Sequence, residues 1–316
     1  MLGGLVLAEV TGRMPVIHWG SNSKFGDGTS ADAFTRFFEP VSGLTIGDLA
    51  ALGGADFFPR KWRRQNLLDE DNAKWSGEGS RLDPLYFLNR PERVVVADYF
   101  LSIANFAPWI PAQHALAPLS IADLYREAIR RYFRPQAAIL DAAKAFFLAK
   151  LSDAPFIAVH IRGSDKVGES TFTTSSEAFR NHITGEIYKI LDQTDATRRI
   201  LLMTEDARIA RKTQSRYGDR VVMTPSQRTD DDRGVHFRDD VDRVRLGAEV
   251  MIDVFVALQA AAFIGLGGSN VAAMTALLRD WPPRSCVLLG QSILLRRAQM
   301  PYLDRSYREL ETPDDA

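Results

Sequence analysis

The chain has 316 residues, with 39 Lys and Arg against 40 Asp and Glu for a formal net charge of -1. That balance excludes a general nucleic-acid binder, which needs clustered cations in excess, and the single Cys, Cys286, excludes a disulfide framework or a multi-cysteine metal site. Hydrophobic residues at 46% and charged residues at 25% are a globular composition, and the length suggests about two domains of roughly 150 residues each.

The opening Met1–Ala8 is apolar, but no basic residue precedes it and Glu9 ends it, so it does not read as a signal peptide. No window reaches the ~18–20 uninterrupted apolar residues of a membrane span. A soluble, cytoplasmic protein is expected, with peripheral contact at the inner membrane left open. Leu2, Leu5, Val6, Glu9 and Val10 fit a helical repeat that stops at Gly12. Met14–Trp19 reads as a short strand. An α/β domain usually opens with a strand and a loop before its first helix, so the first domain is expected to lack its first strand and the native N-terminus to lie upstream of Met1.

From Gly20 to about Arg93 the chain is irregular, and Lys61-Trp62-Arg63-Arg64 lies within it. Val94–Ala97 is a strand candidate, and helices are expected at Ile121–Tyr132 and Gln136–Leu151, separated by Pro135. Beyond Pro155 the pattern is regular. Phe156–Ile161 is a continuous apolar run, as in a parallel strand buried on both faces. Helices are expected at Ser176–Leu191, Ala207–Tyr217, about Ala248–Ala260 and Asn270–Leu278. Strands are expected at Ile200–Met203, Arg220–Thr224, Phe263–Gly265 and Cys286–Leu289. Alternation of this kind reads as a doubly wound parallel sheet, and the domain boundary falls at 152/153.

Ligands of open α/β sheets bind outside the carboxyl ends of the strands. That rule selects His160 to Lys166, Thr204-Glu205-Asp206, and Leu266 to Asn270. Arg162, just past an apolar strand, must meet an anion or an acidic partner such as Asp165, Glu205 or Asp206, because burying it alone is costly; its fork of donors also suits a phosphate. His160 reads either as a core histidine or as part of the rim. Gly267-Gly268-Ser269-Asn270 reads either as a tight strand-to-helix turn or as a pyrophosphate cradle at a helix N-terminus. Asp230-Asp231-Asp232 reads as a solvated acidic loop ahead of a metal site. The five His residues (His18, His114, His160, His182, His236) lack zinc spacing. Gly-x-Gly-x-x-Gly, a P-loop and Gly-x-Ser-x-Gly are all absent, which disfavours a dinucleotide oxidoreductase and an α/β-hydrolase.

Val159-His160-Ile161-Arg162-Gly163-Ser164-Asp165-Lys166-Val167-Gly168-Glu169 resembles the His-Val-Arg-Arg-Thr-Asp-Lys-Val-Gly motif of α1,6-fucosyltransferases. Leu202–Asp206 and the stretch from Asp253 to Ser269-Asn270 resemble two further family segments, in the same order. The resemblance covers about half the chain. It implies a GT-B-like α/β fold of two Rossmann-like domains, 1–152 on the acceptor side and 153–316 on the donor side. It also implies transfer of fucose from GDP-fucose to a glycan or lipid-linked oligosaccharide, with inversion and without a metal or other cofactor. Carried over by position, Arg162 contacts the β-phosphate, and Asp253 and Ser269 sit in the donor pocket with His160, Lys166, Thr204, Gly268 and Asn270. Glu205 and Asp206 bind or order the nucleotide. The general base is Glu169, which stands one position closer to Lys166 than in the family, or Asp165. Gly163 stands where the motif has a second Arg, for which Arg233 or Arg238 could compensate. Those departures leave a second expectation, a non-catalytic nucleotide- or glycan-binding protein on the same fold. Trp19, Phe25, Trp62 and Trp75 are candidate sugar platforms or, alternatively, buried anchors.

Overall fold

The computed structural model describes residues 1–20, 23–29, 32–68, 77, 79–163, 176–232, 235, 238 and 240–297. The chain divides into two compact units, one formed by Met1–Arg134 with the chain from Leu294 onward, the other by Pro135–Ile293.

In the first unit, α1 (Leu2–Val10) buries Leu2, Leu5, Val6 and Leu7. Gly3 lets the helix approach the backbone of Leu101, where a Cβ would lie only 1.8 Å from the carbonyl oxygen. The expected strand at Met14–Trp19 does not form. Pro15 offers no amide, and the backbone of Trp19 is satisfied locally: its N–H donates to Asp32 Oδ1 (2.8 Å) and its carbonyl accepts from Ala33 N (2.9 Å). Its ring packs on Phe34, Phe37 and Phe38, so Trp19 is an anchor. Trp62, 2% exposed, is another; Phe25 packs on Phe37, and Trp75 lies outside the described residues. The short helix α2 (Ile46–Ala51) is closed by a capping box of Thr45 and Asp48. β1 (Phe57–Phe58) pairs in parallel with β2 (Val94–Val95). After α3 (Ile103–Phe106), α4 (Ile121–Tyr132) packs on α1, and Arg131 Nη1 reaches Glu9 Oε1 at 2.6 Å.

The second unit runs α5 (Ala137–Lys150), β3 (Phe156–His160), α6 (Ser176–Leu191), β4 (Arg199–Met203), α7 (Ala207–Tyr217), β5 (Val221–Val222), α8 (Arg243–Ala257), β6 (Ala262–Leu266), α9 (Asn270–Leu277) and β7 (Cys286–Leu289). Its five strands are all parallel, in the order β5-β4-β3-β6-β7. Every residue of β3 is buried, and side chains alternate across it. Phe156 and Ala158 join Ala143, Val254, Phe263 and Ala272, from α5, α8, β6 and α9, in the core on one face. Ile157 and Val159 join Ile187, Leu191, Ile209 and Ala210, from α6 and α7, on the other. Burial of the Phe, Ile, Leu and Val side chains among these is worth roughly 1.5–3 kcal/mol each.

Because Ala143, Phe146 and Phe147 pack on this sheet, α5 lies in the second unit, one helix earlier than the expected break at 152/153. α8 also starts earlier than its apolar pattern suggests, since Asp242 caps it by accepting from Arg245 N at 2.9 Å. No helix among the described residues is long and apolar enough to cross a membrane. Asp242→Ala should cost about 1 kcal/mol of stability, read as a lower urea midpoint. Asp242→Ser should restore most of it, and equal midpoints for the Ala variant and the wild type would remove the cap from this account.

Candidate active site

β3 is the switch point of the sheet: β4 and β5 lie on one side of it, β6 and β7 on the other. The crevice outside such a switch is where ligands bind in this architecture. Two chain segments leave it, one after His160 and one after Leu266.

On the β3 side, His160 is 8% exposed, and its Nδ1 has no hydrogen-bond partner among the described residues. Burial, with the charge of Arg162 added, pushes its pKa down to about 3. The imidazole is therefore neutral at physiological pH and serves as a hydrogen-bonding group. Arg162 is half-buried and follows the fully buried Ile161. Asp165, Lys166 and Glu169 lie outside the described residues.

Gly163 explains the departure from the two-arginine motif. A Cβ there would sit 2.4 Å from Ile209 Cδ1 and 2.9 Å from Asp206 Oδ2, so the place of a second Arg is filled by a carboxylate. Asp206 is fully buried and caps α7, accepting from Arg208 N (2.8 Å) and Ile209 N (3.3 Å). Arg208 also forks onto it, Nε to Oδ1 at 3.1 Å and Nη2 to Oδ2 at 3.0 Å, and Arg180 Nη1 stands 3.7 Å from Oδ2. Asp232 binds the same two arginines. Asp206 is thus engaged inside the protein, and the structure gives it an internal bracing role. Asp206, which lies against Gly163, is met in turn by Arg180 and Arg208. Arg238 forks onto Asp240 at the surface, and Arg233 lies outside the described residues. An Asp followed two residues later by Arg at a helix start is the sequence signal for this cap. Thr204 accepts from Asp206 N at 3.2 Å, and the Glu205 carbonyl accepts from Thr229 N at 2.8 Å.

On the β6 side, the backbone of Gly267 lies against Gly290 and Gln291, where a Cβ would meet carbonyl oxygens at 2.4 and 2.6 Å. Gly268 is open and exposed, as is Asn270. Ser269 stands at the N-cap of α9 without capping it; it is 1% exposed, and its Oγ has no hydrogen-bond partner among the described residues.

Asp253 lies on α8 and accepts from the Thr224 hydroxyl; burial pushes its pKa up to about 6. Glu249, one turn earlier, takes Gln227 N (2.8 Å) and Arg245 Nε (2.7 Å). Arg228, bonded to the carbonyls of Thr224 and Ser226, is half-buried and lies close enough to both carboxylates to feel their charge. Sequence reasoning missed Thr224, Arg228 and Glu249, although the spacing of Glu249 and Asp253 puts both on one helix face.

The structure is similar to that of NodZ α1,6-fucosyltransferase soaked with GDP-fucose: TM-score 0.57 and 17% identity over 88% of this chain and 87% of that one. It is also similar to NodZ co-crystallised with GDP (TM-score 0.55, 18% identity, 88% and 87% covered). For fucosyltransferase NodZ from Bradyrhizobium the values are 0.52, 17%, 83% and 82%. The chain has the NodZ fold. No protein-family model matches it, and no curated protein does. The likeness is one of fold, and the GT-B-like α/β architecture expected from the sequence is the one present.

Gly163→Ala should lower stability by about 1–3 kcal/mol through overpacking; an unchanged denaturant midpoint would mean that Asp206 and Ile209 yield freely. Asp253 is raised to about 6 from 3.8, so the folded state holds its proton more tightly than the unfolded chain does. Its contribution is complete below pH 3.8 and is lost as pH rises to about 6, by roughly 3 kcal/mol in all. The stability of Asp253→Asn should therefore fall less than that of the wild type between those pH values. Parallel pH profiles of unfolding would contradict the assignment.

Proposed function

We propose that the chain is a glycosyltransferase that moves a sugar from a nucleotide-sugar donor, GDP-fucose, to a glycan acceptor. The observation that carries this reading is the pair of buried polar atoms at the switch point, His160 Nδ1 and Ser269 Oγ, that have no partner among the described residues. Buried polar groups are nearly always paired. Two such groups, at the ends of neighbouring strands, with Arg162 close enough to His160 to act on it, fit a polar ligand that supplies the partners. The NodZ fold, with GDP-fucose and GDP as the ligands named for that protein, supports the same conclusion.

The chemistry follows from charge. Departure of a nucleoside diphosphate leaves negative charge on the β-phosphate, and preorganised donors there lower the barrier. Arg162 and the N-terminal amides of α9 supply that positive potential without a divalent ion. Gly268 leaves the backbone open to a phosphate, and Ser269 and Asn270 flank it. Glu205 orders the nucleotide, with Thr204 and Asp206 bracing the turn that presents it. Asp253, through Thr224, shapes the pocket wall. Attack by an acceptor hydroxyl on the anomeric carbon inverts it and needs a base, a role for Glu169 or Asp165, with Lys166 nearby in sequence. Work on a glycan or lipid-linked oligosaccharide in the cytoplasm, at the inner membrane face, is consistent with this donor.

A second reading, nucleotide binding without transfer, is favoured by Gly163, which leaves the motif one cation short. Labelled GDP-fucose offered with an acceptor panel separates the two. The wild type should transfer, and Arg162→Ala should be slower by about 10²–10³-fold with an unchanged circular dichroism spectrum. Full activity in that variant would sink the assignment of Arg162, and GDP binding with no transfer to any acceptor would favour the second reading.

A further inference from the structure

The Lys61-Trp62-Arg63-Arg64 segment takes no part in the chemistry above. In the first unit its Trp62, Arg63 and Arg64 line a cavity of about 400 Å³ whose other walls include Phe57, Arg60 and Gln65. That volume lies within the usual range of small-molecule sites. Arg60, Arg63 and Arg64 line it, all three residues are exposed, and no acidic residue lines it among the described residues.

Several arginines elsewhere in the chain are matched. Arg36, Arg131, Arg199, Arg208, Arg216 and Arg238 each meet a carboxylate. Arg63 and Arg64 meet none among the described residues. In a chain of net charge -1, Arg63 and Arg64, which meet no carboxylate among the described residues, line one cavity together with Arg60 and bring positive charge to it. The buried Trp62 and the half-buried Phe57 give an apolar wall, and Gln65 offers an amide that can both donate and accept.

We propose that this pocket binds an anionic saccharide, a sugar ring carrying a phosphate or a carboxylate, and so sets the class of acceptor. Guanidinium forks match both groups bidentately. Phe57 and Gln65 suit the C–H face and the hydroxyls of a sugar. The acceptor role rests on the transferase reading; the anion rests on the arginines alone.

The test is calorimetry with glucose 6-phosphate, glucuronate, inorganic phosphate and glucose, each in the presence of excess GDP. The wild type should bind the two charged sugars more tightly than glucose or inorganic phosphate, and less tightly as salt rises. Arg63→Gln/Arg64→Gln should weaken that binding by about tenfold or more, Arg63→Lys/Arg64→Lys should recover part of it, and GDP affinity should not change. Whichever charged sugar binds more tightly identifies the anion. Equal affinity of the wild type and the double Gln variant for both charged sugars overturns the proposal, as does equal affinity for glucose. Arg162→Ala is the complementary arm. Loss of GDP binding with charged-sugar binding retained separates the two sites, and a wild type that binds charged sugars but not GDP would sink the transferase reading while leaving this pocket in place.

Discussion

The carboxylate of Asp206 is the constraint on which the rim of the sheet depends. It is wholly buried, a position in which an ionised group is costly unless it is fully paired. It is paired by two backbone amides at the start of α7, by the fork of Arg208, and by Arg180 behind. Removing any one partner would strand buried charge, so the members hold one another in place. Gly163 rests directly against this group. The chain leaving β3 is thereby pinned on both sides of Arg162, by buried Ile161 before it and by Gly163 after it. An arginine fixed in this way would lose less freedom on meeting the proposed phosphate, which is one way binding energy is conserved for a ligand.

The second unit was largely legible because its strands are buried on both faces. Phe156–His160, Arg199–Met203 and Cys286–Leu289 are short apolar runs between helices of the right period, and the structure places them within a residue or so of expectation. What failed was what the period does not encode. α8 begins at its cap, Asp242, ahead of its apolar stripe. Met14–Trp19 has strand-like residues, but its Trp19 backbone is bonded locally and no ladder forms. In the first unit, order comes from aromatic clusters such as Trp19 with Phe34 and Phe38, contacts that no repeat announces.

The same division runs through the site. The rule that ligands gather at strand ends selects His160, Arg162 and Ser269, and the structure leaves His160 Nδ1 and Ser269 Oγ without partners among the described residues. The rule did not reveal that Asp206 faces inward. A carboxylate next to a candidate pocket reads the same in sequence whether it caps a helix or meets a nucleotide, and only its burial and bond count distinguish the two. Nor could it explain Gly163, which reads in sequence as a lost cation and in the structure as room for an anion.

Near-neutral net charge and the proposed recognition of anions are compatible because charge acts locally. At the switch point the groups are few and mostly enclosed: a neutral His160, a hydroxyl at Ser269, a half-buried Arg162 and a helix end. In such surroundings each bond is electrostatically strong and an unmet group is expensive, which suits a ligand that must be held while charge moves within it. The pocket of Arg60, Arg63 and Arg64 is the opposite case, with three exposed cations screened by water and salt. Exposed charges give modest affinity and fast exchange, which suits a substrate that is selected and then released. The enclosed and the open site thus favour different ligands through their dielectric surroundings more than through their residue types. The formal sum of charges, which is the same wherever the cations lie, carries no trace of that difference.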